Sequence, residues 1–349
     1  MRGGGGAAGR ELIGARALRE WISGEQDEYS RVFLVERGAT AAGIDEAARQ
    51  GDVVLVPEEG GSYAGPADSV RYRGALCEVG DELFFGERGI ELQDYVAAAF
   101  VQIIGPTAVC LLDSSSREAF LEDAELARRT GVFPSALIDP RVVLANRSAL
   151  VNPDELGVPR AIRVSADGRV SVGLHGEVIG TVDDLPAVLE GLLPRAAALG
   201  GRPQRDALAA DLRRREWMGR YLNATDLLKM LRRGNGTAKI SGFGWLLIED
   251  DLADAEPLTA DPFLLDTEDG FVLADTRTLR RQLLSPATAV VVAAMQTSSA
   301  LEVAAERVAR HLGIPAREAS APCLEAVTAL NITLGQRPDA SLRSKDAER

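Results

Sequence analysis

The chain has 349 residues, 46% of them hydrophobic and 26% charged, which is enough apolar material for two or three packed domains and too much for a disordered chain. With 39 Lys and Arg against 52 Asp and Glu, the net charge of -13 repels a phosphate backbone and argues against nucleic acid as a partner. The three cysteines, Cys77, Cys110 and Cys323, are odd in number and far apart, so neither a disulfide framework nor a CxxC metal or redox site is indicated.

Among the basic residues only Lys229, Lys239 and Lys345 are lysines, a pattern of coding bias rather than of an arginine patch. No run approaches the ~18 consecutive apolar residues of a membrane span, so no membrane partner is expected. "MRGGGGAAGR" carries charge and glycine without an apolar core, which makes residues 1–10 a flexible tail rather than a signal peptide. Free thiols in a reducing cytoplasm are the resulting expectation.

Residues 11–199 read as an α/β body. "ELIGARALREWI" has helical spacing; "RVFLVERG" and "DVVLVPE" are strands on either side of the helix-like "AGIDEAARQG". "SVRYRGALCEV" and "DELFFGE" follow as strands, "ELQDYVAAAFVQIIG" as a helix, "TAVCLLD" as a buried strand, and "SREAFLEDAELARRTG" as a helix ending at Gly131. This alternation predicts a small open sheet with helices on its faces. "PRAIRVSADGRVSVGLHGEVIGTV" alternates in period two around Asp167-Gly168, a hairpin signal, and "DDLPAVLEGLLPRAAALG" returns to helix.

"GGRPQ" at 200–204 is the clearest linker. Residues 205–258 then read as a connection: the helices "RDALAADLRRREWMGRYL" and "ATDLLKMLRR", and a glycine-rich hairpin in "GNGTAKISGFGWLLIED". A last module is expected over 262–335, followed by a second tail at 336–349. It opens with three strands in "PFLLDTEDGFVLADTRTLRRQLL", joined by turns at Glu268-Asp269-Gly270 and Asp275-Thr276-Arg277. Ser285 and Pro286 mark the start of a first helix. Ser299 and Glu302 form a capping box for a second, with Leu301, Ala304, Ala305, Val308 and Leu312 on one stripe before Gly313 and Pro315. A third starts at Pro322 and runs through "CLEAVTALNIT". The predicted fold is thus an α/β N-terminal body with a C-terminal winged-helix module of order βββααα.

The stretches Leu284 to Val292, Leu301 to Ile314 and Cys323 to Leu330 resemble the three helices of the PqqD-like family, the RiPP recognition element. The resemblance covers about a fifth of the chain and rests on element order and apolar spacing. It implies a protein that binds the leader segment of a ribosomally made precursor peptide and presents it to separate tailoring enzymes; the residues themselves show no catalytic, cofactor or metal signature, which favours a scaffold. Binding would be by strand addition, an extended peptide pairing with the free edge of the three-stranded sheet. The edge implied is "TLRRQLLS", with Leu279, Arg280, Arg281, Gln282, Leu283 and Leu284; Leu324, Val327, Thr328 and Asn331 would line the far wall of the groove. Adjacent Leu283 and Leu284 point to opposite faces, so one is free to be exposed, and beside two arginines it suits an acidic, amphipathic leader. The stretch "RYLNATDLLKMLRRGNGTAKISGFGW" is similar to daptide recognition proteins, which implies an oxidative decarboxylase, an aminotransferase and a methyltransferase as partners.

Three other readings stand beside this one. A charged edge strand also serves simply to block sheet-to-sheet pairing, and Leu324 and Val327 fit an ordinary core. A winged helix can bind DNA, but the stretch from Pro322 has one Glu and no Lys or Arg, and residues 262–335 carry 6 Arg against 8 Asp and Glu. The body itself could be the enzyme. His175 and His311 are the only histidines, too few for a His-rich metal site; His311 suits a helix C-terminus and His175 a turn. "TAVCLLDSSSREAF" places serines between a strand and a helix, where open α/β sheets bind ligands, although capping by Ser115 or Ser116 explains them equally. "RRGNGTAKISGFGW" lacks phosphate-loop spacing.

Overall fold

A computed structural model describes residues 7–337. The elements begin with α1 (Ala7–Ser23), β1 (Val32–Val35), α2 (Ala42–Ala47), β2 (Val53–Pro57), β3 (Asp68–Gly74), β4 (Glu82–Phe85), β5 (Arg88–Asp94), α3 (Tyr95–Ala98) and β6 (Thr107–Cys110). They continue with α4 (Ser114–Thr130), α5 (Ser135–Ile138), β7 (Val142–Leu144), α6 (Arg147–Val151), β8 (Leu156–Gly157), β9 (Ala161–Val164), β10 (Arg169–Val172), β11 (Val178–Thr181), α7 (Leu185–Glu190) and β12 (Leu193–Pro194). The remainder is α8 (Arg202–Arg213), α9 (Met218–Leu231), β13 (Ala238–Ile240), β14 (Phe263–Thr267), β15 (Gly270–Asp275), β16 (Arg280–Leu284), α10 (Pro286–Gln296), α11 (Leu301–Leu312) and α12 (Ala316–Leu330). The chain has a mixed α/β fold in two compact units. One runs up to Phe120 and resumes over Arg141–Glu216; the other combines Leu121–Pro140 with the chain from Trp217 onward.

The first unit is built on a ten-stranded sheet of order β11-β10-β9-β1-β2-β3-β4-β5-β6-β7, larger than the small sheet expected. Strands β9, β1, β2 and β3 are parallel, as are β5, β6 and β7, and the antiparallel strand β4 joins the two sets. One face of this sheet packs on α1. Its Ala17, Leu18, Trp21 and Ile22 meet Leu34, Leu55, Tyr72, Phe85, Leu92 and Ala108 from six different strands, so the sheet curves around the helix. Gly14 is required there, because a Cβ would fall 2.6 Å from the Phe85 ring. The other face of β1, β2 and β9 packs on Ile44 of α2 and on Leu185 and Leu189 of α7, which is why those strands read as unbroken apolar runs.

Local signals and tertiary structure part company at several points. "ELQDYVAAAFVQIIG" is not one helix: Glu91–Asp94 pair with β6, and only Tyr95–Ala98 are helical, held by Asp94 accepting from the amides of Val96 and Ala97. The helix expected from Asp183 onward is split into α7 and a short 3-10 turn at Arg195–Leu199. Ala7–Arg10, expected in the amino-terminal tail, form the start of α1, while Gln336 exchanges two 2.9 Å backbone bonds with Glu256 and Arg337 donates to Asp254 at 3.0 Å; residues 1–6 and 338–349 lie outside the described residues.

The second unit contains the sheet β13-β14-β15-β16, antiparallel throughout, followed by three helices. The glycine-rich stretch after α9 does not form the expected hairpin. Its first half becomes β13 and pairs with β14, because Phe243 folds straight back on Ile240 and leaves no second strand. The 205–258 stretch is therefore divided, α8 belonging to the first unit and α9 with β13 to the second. Leu121–Pro140, expected in the body, belongs to the second unit: Phe133 stacks on Tyr221 of α9 with ring centroids 5.9 Å apart.

Helix α10 is apolar around its whole circumference, and Ala289 through Gln296 are all buried, as such a helix must be. It sits at the centre of a core that takes Leu264, Leu273 and Leu284 from the sheet, Ala304, Ala305 and Val308 from α11, and Ala319, Cys323 and Ala326 from α12. Helix α12 starts at Ala316 rather than Pro322, so the proline lies inside it; the cost is one backbone bond, to the carbonyl of the exposed residue Glu318.

Candidate peptide-docking edge

Strand β16 is the outer strand of the small sheet. Its register against β15 sorts its side chains without ambiguity. Arg280, Gln282 and Leu284 lie opposite Asp275, Leu273 and Phe271, on the face that meets the helices; Arg281 and Leu283 lie opposite Ala274 and Val272, on the reverse face. Leu284 is buried in the core, whereas Leu283, its neighbour in sequence, is 66% exposed. The exposed leucine therefore sits on the face away from the three helices, not in a groove against the last one.

The turn that presents β16 is built by Asp275. Its carboxylate accepts from the Arg277 amide at 2.8 Å and from the Thr278 hydroxyl at 2.7 Å. Burial opposes ionisation of Asp275, but the bonds from Thr278 and from the Arg277 and Thr278 amides outweigh it and hold its pKa below the ordinary carboxylate value. The turn closes with Leu279 at φ 57°, a left-handed conformation that costs a branched side chain about 1 kcal/mol or more, and this leucine is 68% exposed. Two large apolar side chains thus bracket the two arginines on an open strand. Arg281 donates to the carbonyl of Met230 at 3.1 Å, fixing it over the end of α9, and neither arginine is paired with a carboxylate among the described residues.

On α12 the two halves of the surface differ sharply. Ala319, Cys323 and Ala326 are buried, while Leu324, Val327, Thr328 and Asn331 form an exposed stripe at i, i+3, i+4 and i+7. Leu324 is 56% exposed, so it is not the core residue that its type suggests. Thr328 turns its hydroxyl back to the Glu325 carbonyl at 3.1 Å, and Asn331, at φ 52°, ends the helix. The stripe carries no basic side chain. Helices α10 and α11 hold α12, and α10 also packs on β16, so the strand and the stripe are supported by the same core.

Polar clamps that sequence reading missed fasten this core. Arg307 of α11 is fully buried; its Nε bridges both oxygens of Asp250 at 3.0 and 3.1 Å, and Nη1 donates to Thr297 and Ser298. Its position on the buried side of the helix, next to Val308, was the only available signal. Ser299 does not cap α11. Its hydroxyl donates to Asp254 at 2.6 Å and its amide to the same carboxylate at 2.8 Å, and the cap position falls to Ala300. Those two bonds, with Arg337, lower the Asp254 pKa to about 2. Ser285 does cap α10, accepting from Thr288 at 3.1 Å.

In the first unit, Asp113 rather than a serine accepts from the first turn of α4, taking the Ser116 amide at 2.8 Å, while the buried Ser116 hydroxyl donates to Asp94. His175 is half-buried and follows β10; burial, and then the charge of Arg163, push its pKa down. His311 is exposed near the end of α11. Among the described residues, no group of His, Cys, Asp and Glu could hold a metal ion, and no helix is long and apolar enough to cross a membrane. Compared with models of protein families, with curated proteins and with solved structures, the chain matches none.

Proposed function

We propose that this protein is a leader-peptide recognition adaptor: it captures an extended segment of a ribosomally made precursor peptide along β16 and presents the rest of that peptide to separate tailoring enzymes. The observation that carries the reading is the outer strand itself. Four of its five side chains are exposed, Leu279 and Leu283 stand out at its two ends, and two arginines lie between them. A protein guarding an edge against association places charges there and keeps leucines away. The opposite edge, the three-residue β13 with exposed Lys239, follows that protective pattern; β16 has the charges too but adds the exposed Leu283 and, just before the strand, Leu279.

Strand addition supplies affinity through backbone hydrogen bonds and selectivity through alternate side chains. Arg280 and Arg281 favour acidic positions in the guest, and Leu283 and Leu279 offer it apolar contact. The exposed Leu324–Val327 stripe adds a second apolar surface on the helix side. In this reading the strands β14–β16 and the helices α10–α12 are a PqqD-like winged helix with β13 as an added strand, and the α/β unit serves to engage a tailoring enzyme, of the oxidative, aminotransferring or methylating kinds that daptide systems imply.

The test is hydrogen exchange on the full chain mixed with the leader segment of a short peptide encoded beside its gene. Protection of the amides of 279–284, with a micromolar or tighter Kd, is the expected result. Protection confined to other segments, or none at all, overturns the reading. Incubation of the protein alone with that peptide leaves the peptide's mass unchanged; a mass change would instead make the α/β unit a modifying enzyme.

A further inference from the structure

The first unit contains a cavity of about 450 Å³ at the carboxyl ends of the parallel strands β6 and β7, lined by Cys110–Ser114 and Arg117 on one side and by Ala145, Asn146, His175 and Leu199–Gly201 on others. Strands β6 and β10 lie far apart in the sheet order, yet the chain after β10 brings His175 to the same cavity that Cys110 lines. The size suits a small molecule, and the position is where open parallel sheets place their ligands.

Three polar side chains of this wall keep an atom without a hydrogen-bond partner: Arg117 at Nε, Asn146 at Oδ1 and His175 at Nε2. Asn146 is only 9% exposed, and its Nδ2 is spent on the Ala198 carbonyl at 2.8 Å. Each of these atoms is sealed from solvent, and three unpartnered polar atoms gathered around one cavity are unusual in a folded chain. The backbone is specialised at the same place. Asn146 is left-handed, at φ 54°, and Gly200, at φ 121° and ψ -171°, occupies a region essentially closed to other residues. A Cβ on Gly173 would lie 2.5 Å from Asn146 Oδ1, and one on Gly200 would lie 3.4 Å from the Arg117 guanidinium.

Two helices begin at this wall. Helix α4 has Asp113 at its start and Arg117 in its first turn; α8 follows Gly201, which offers its orphan amides no side-chain cap. Asp113 already occupies the amino end of α4 and Asp94 lies beside Cys110, so the positive features left for an anion are Arg117 and the uncapped amino end of α8. The one cysteine in the wall is not a nucleophile, since burial and then the charge of Asp94 push the Cys110 thiol up to about 12. We infer that this cavity binds a small molecule by its phosphate or carboxylate group, held by Arg117 and the amino end of α8, with Asn146 and His175 reading the remainder of the ligand. The inference stands independently of the peptide-docking edge.

Calorimetry on the full chain tests it with four probes: inorganic phosphate, pyrophosphate, acetate and succinate. Saturable binding of at least one probe is expected, weakened at least tenfold by Arg117→Met and several-fold by Gln204→Glu, and unchanged by Arg214→Met, which removes an exposed arginine outside the wall. Gln204 also lines the cavity and is exposed, so its variant keeps the test open if Arg117→Met fails to fold. Binding by phosphates alone assigns a phosphorylated ligand, and by carboxylates alone an organic acid. No binding by any probe, or binding indifferent to both wall variants, overturns the proposal.

Discussion

The two units gather different features at their candidate sites. In the α/β unit the unpartnered atoms of Arg117, Asn146 and His175 collect around one cavity, and its most exposed apolar side chains, Phe100 and Ile104, do not line it. The small sheet and its helices bury their core but leave leucines and an unpaired strand on the outside. Unpaired polar atoms in a confined space select a small polar ligand; an open backbone ladder flanked by apolar side chains selects another chain. The two proposed recognition surfaces are thus of opposite character, and each can be tested without disturbing the other.

The largest expected effect is on the stability of the second unit. Arg307→Ala removes a fully buried side chain and its bonds to Thr297 and Ser298, and should cost about 3 kcal/mol in chemical denaturation through the void and the unpaired hydroxyls it leaves. A loss below about 1 kcal/mol would show that the apolar core alone holds the unit. Next comes the edge. Leu283→Glu and Arg281→Glu should each weaken leader binding by about tenfold to a hundredfold, or about 1.4–2.8 kcal/mol, while stability stays within about 0.5 kcal/mol because both side chains are exposed. Isotherms that ignore both substitutions would move the docking surface away from β16. Ser285→Ala, which removes the cap of α10, should lower stability by about 1 kcal/mol with no direct effect on the edge.

The smallest effects are in pH dependence, where the two units separate. His175 has a folded pKa depressed below the ordinary 6.5 by burial, so its neutral form stabilises the first unit above pH 6.5 and that contribution is lost as the pH falls through the folded value. Thermal unfolding followed from pH 7.5 down to 5 should show the first unit weakening, and His175→Asn should flatten the trend. In the second unit Asp254, held at about 2, contributes stability that is complete above its unfolded value near 3.8 and vanishes only as the pH drops through about 2. A second unit that weakened between pH 7 and 5 would contradict this assignment.

Much of the secondary structure was legible because it depends on neighbours in sequence. The apolar runs of β1 and β2, the stripe on α11, the Ser285-Pro286 start of α10 and the Asp167-Gly168 turn are short-range signals, and the chain obeys them. Of the candidate edge, the opposite fates of Leu283 and Leu284 follow from strand alternation alone. Where the reading failed, a distant partner had intervened. Ser299 left its cap because Asp254, 45 residues away, offered a stronger acceptor, and the glycine-rich stretch gave its strand to β14 instead of folding on itself.

Sequence by itself determined the mixed α/β character, the order of three strands and three helices near the carboxyl end, and the presence of an arginine-leucine strand among them. These follow from residue periodicity and turn chemistry, which act over a few positions. Only the tertiary structure decided that β16 lies outermost, that Leu283 faces away from the helices, and that Arg117, Asn146 and His175 share one cavity. Strand order and sheet curvature arise from contacts between residues tens of positions apart, and no local pattern encodes which of several competing pairings buries the most surface.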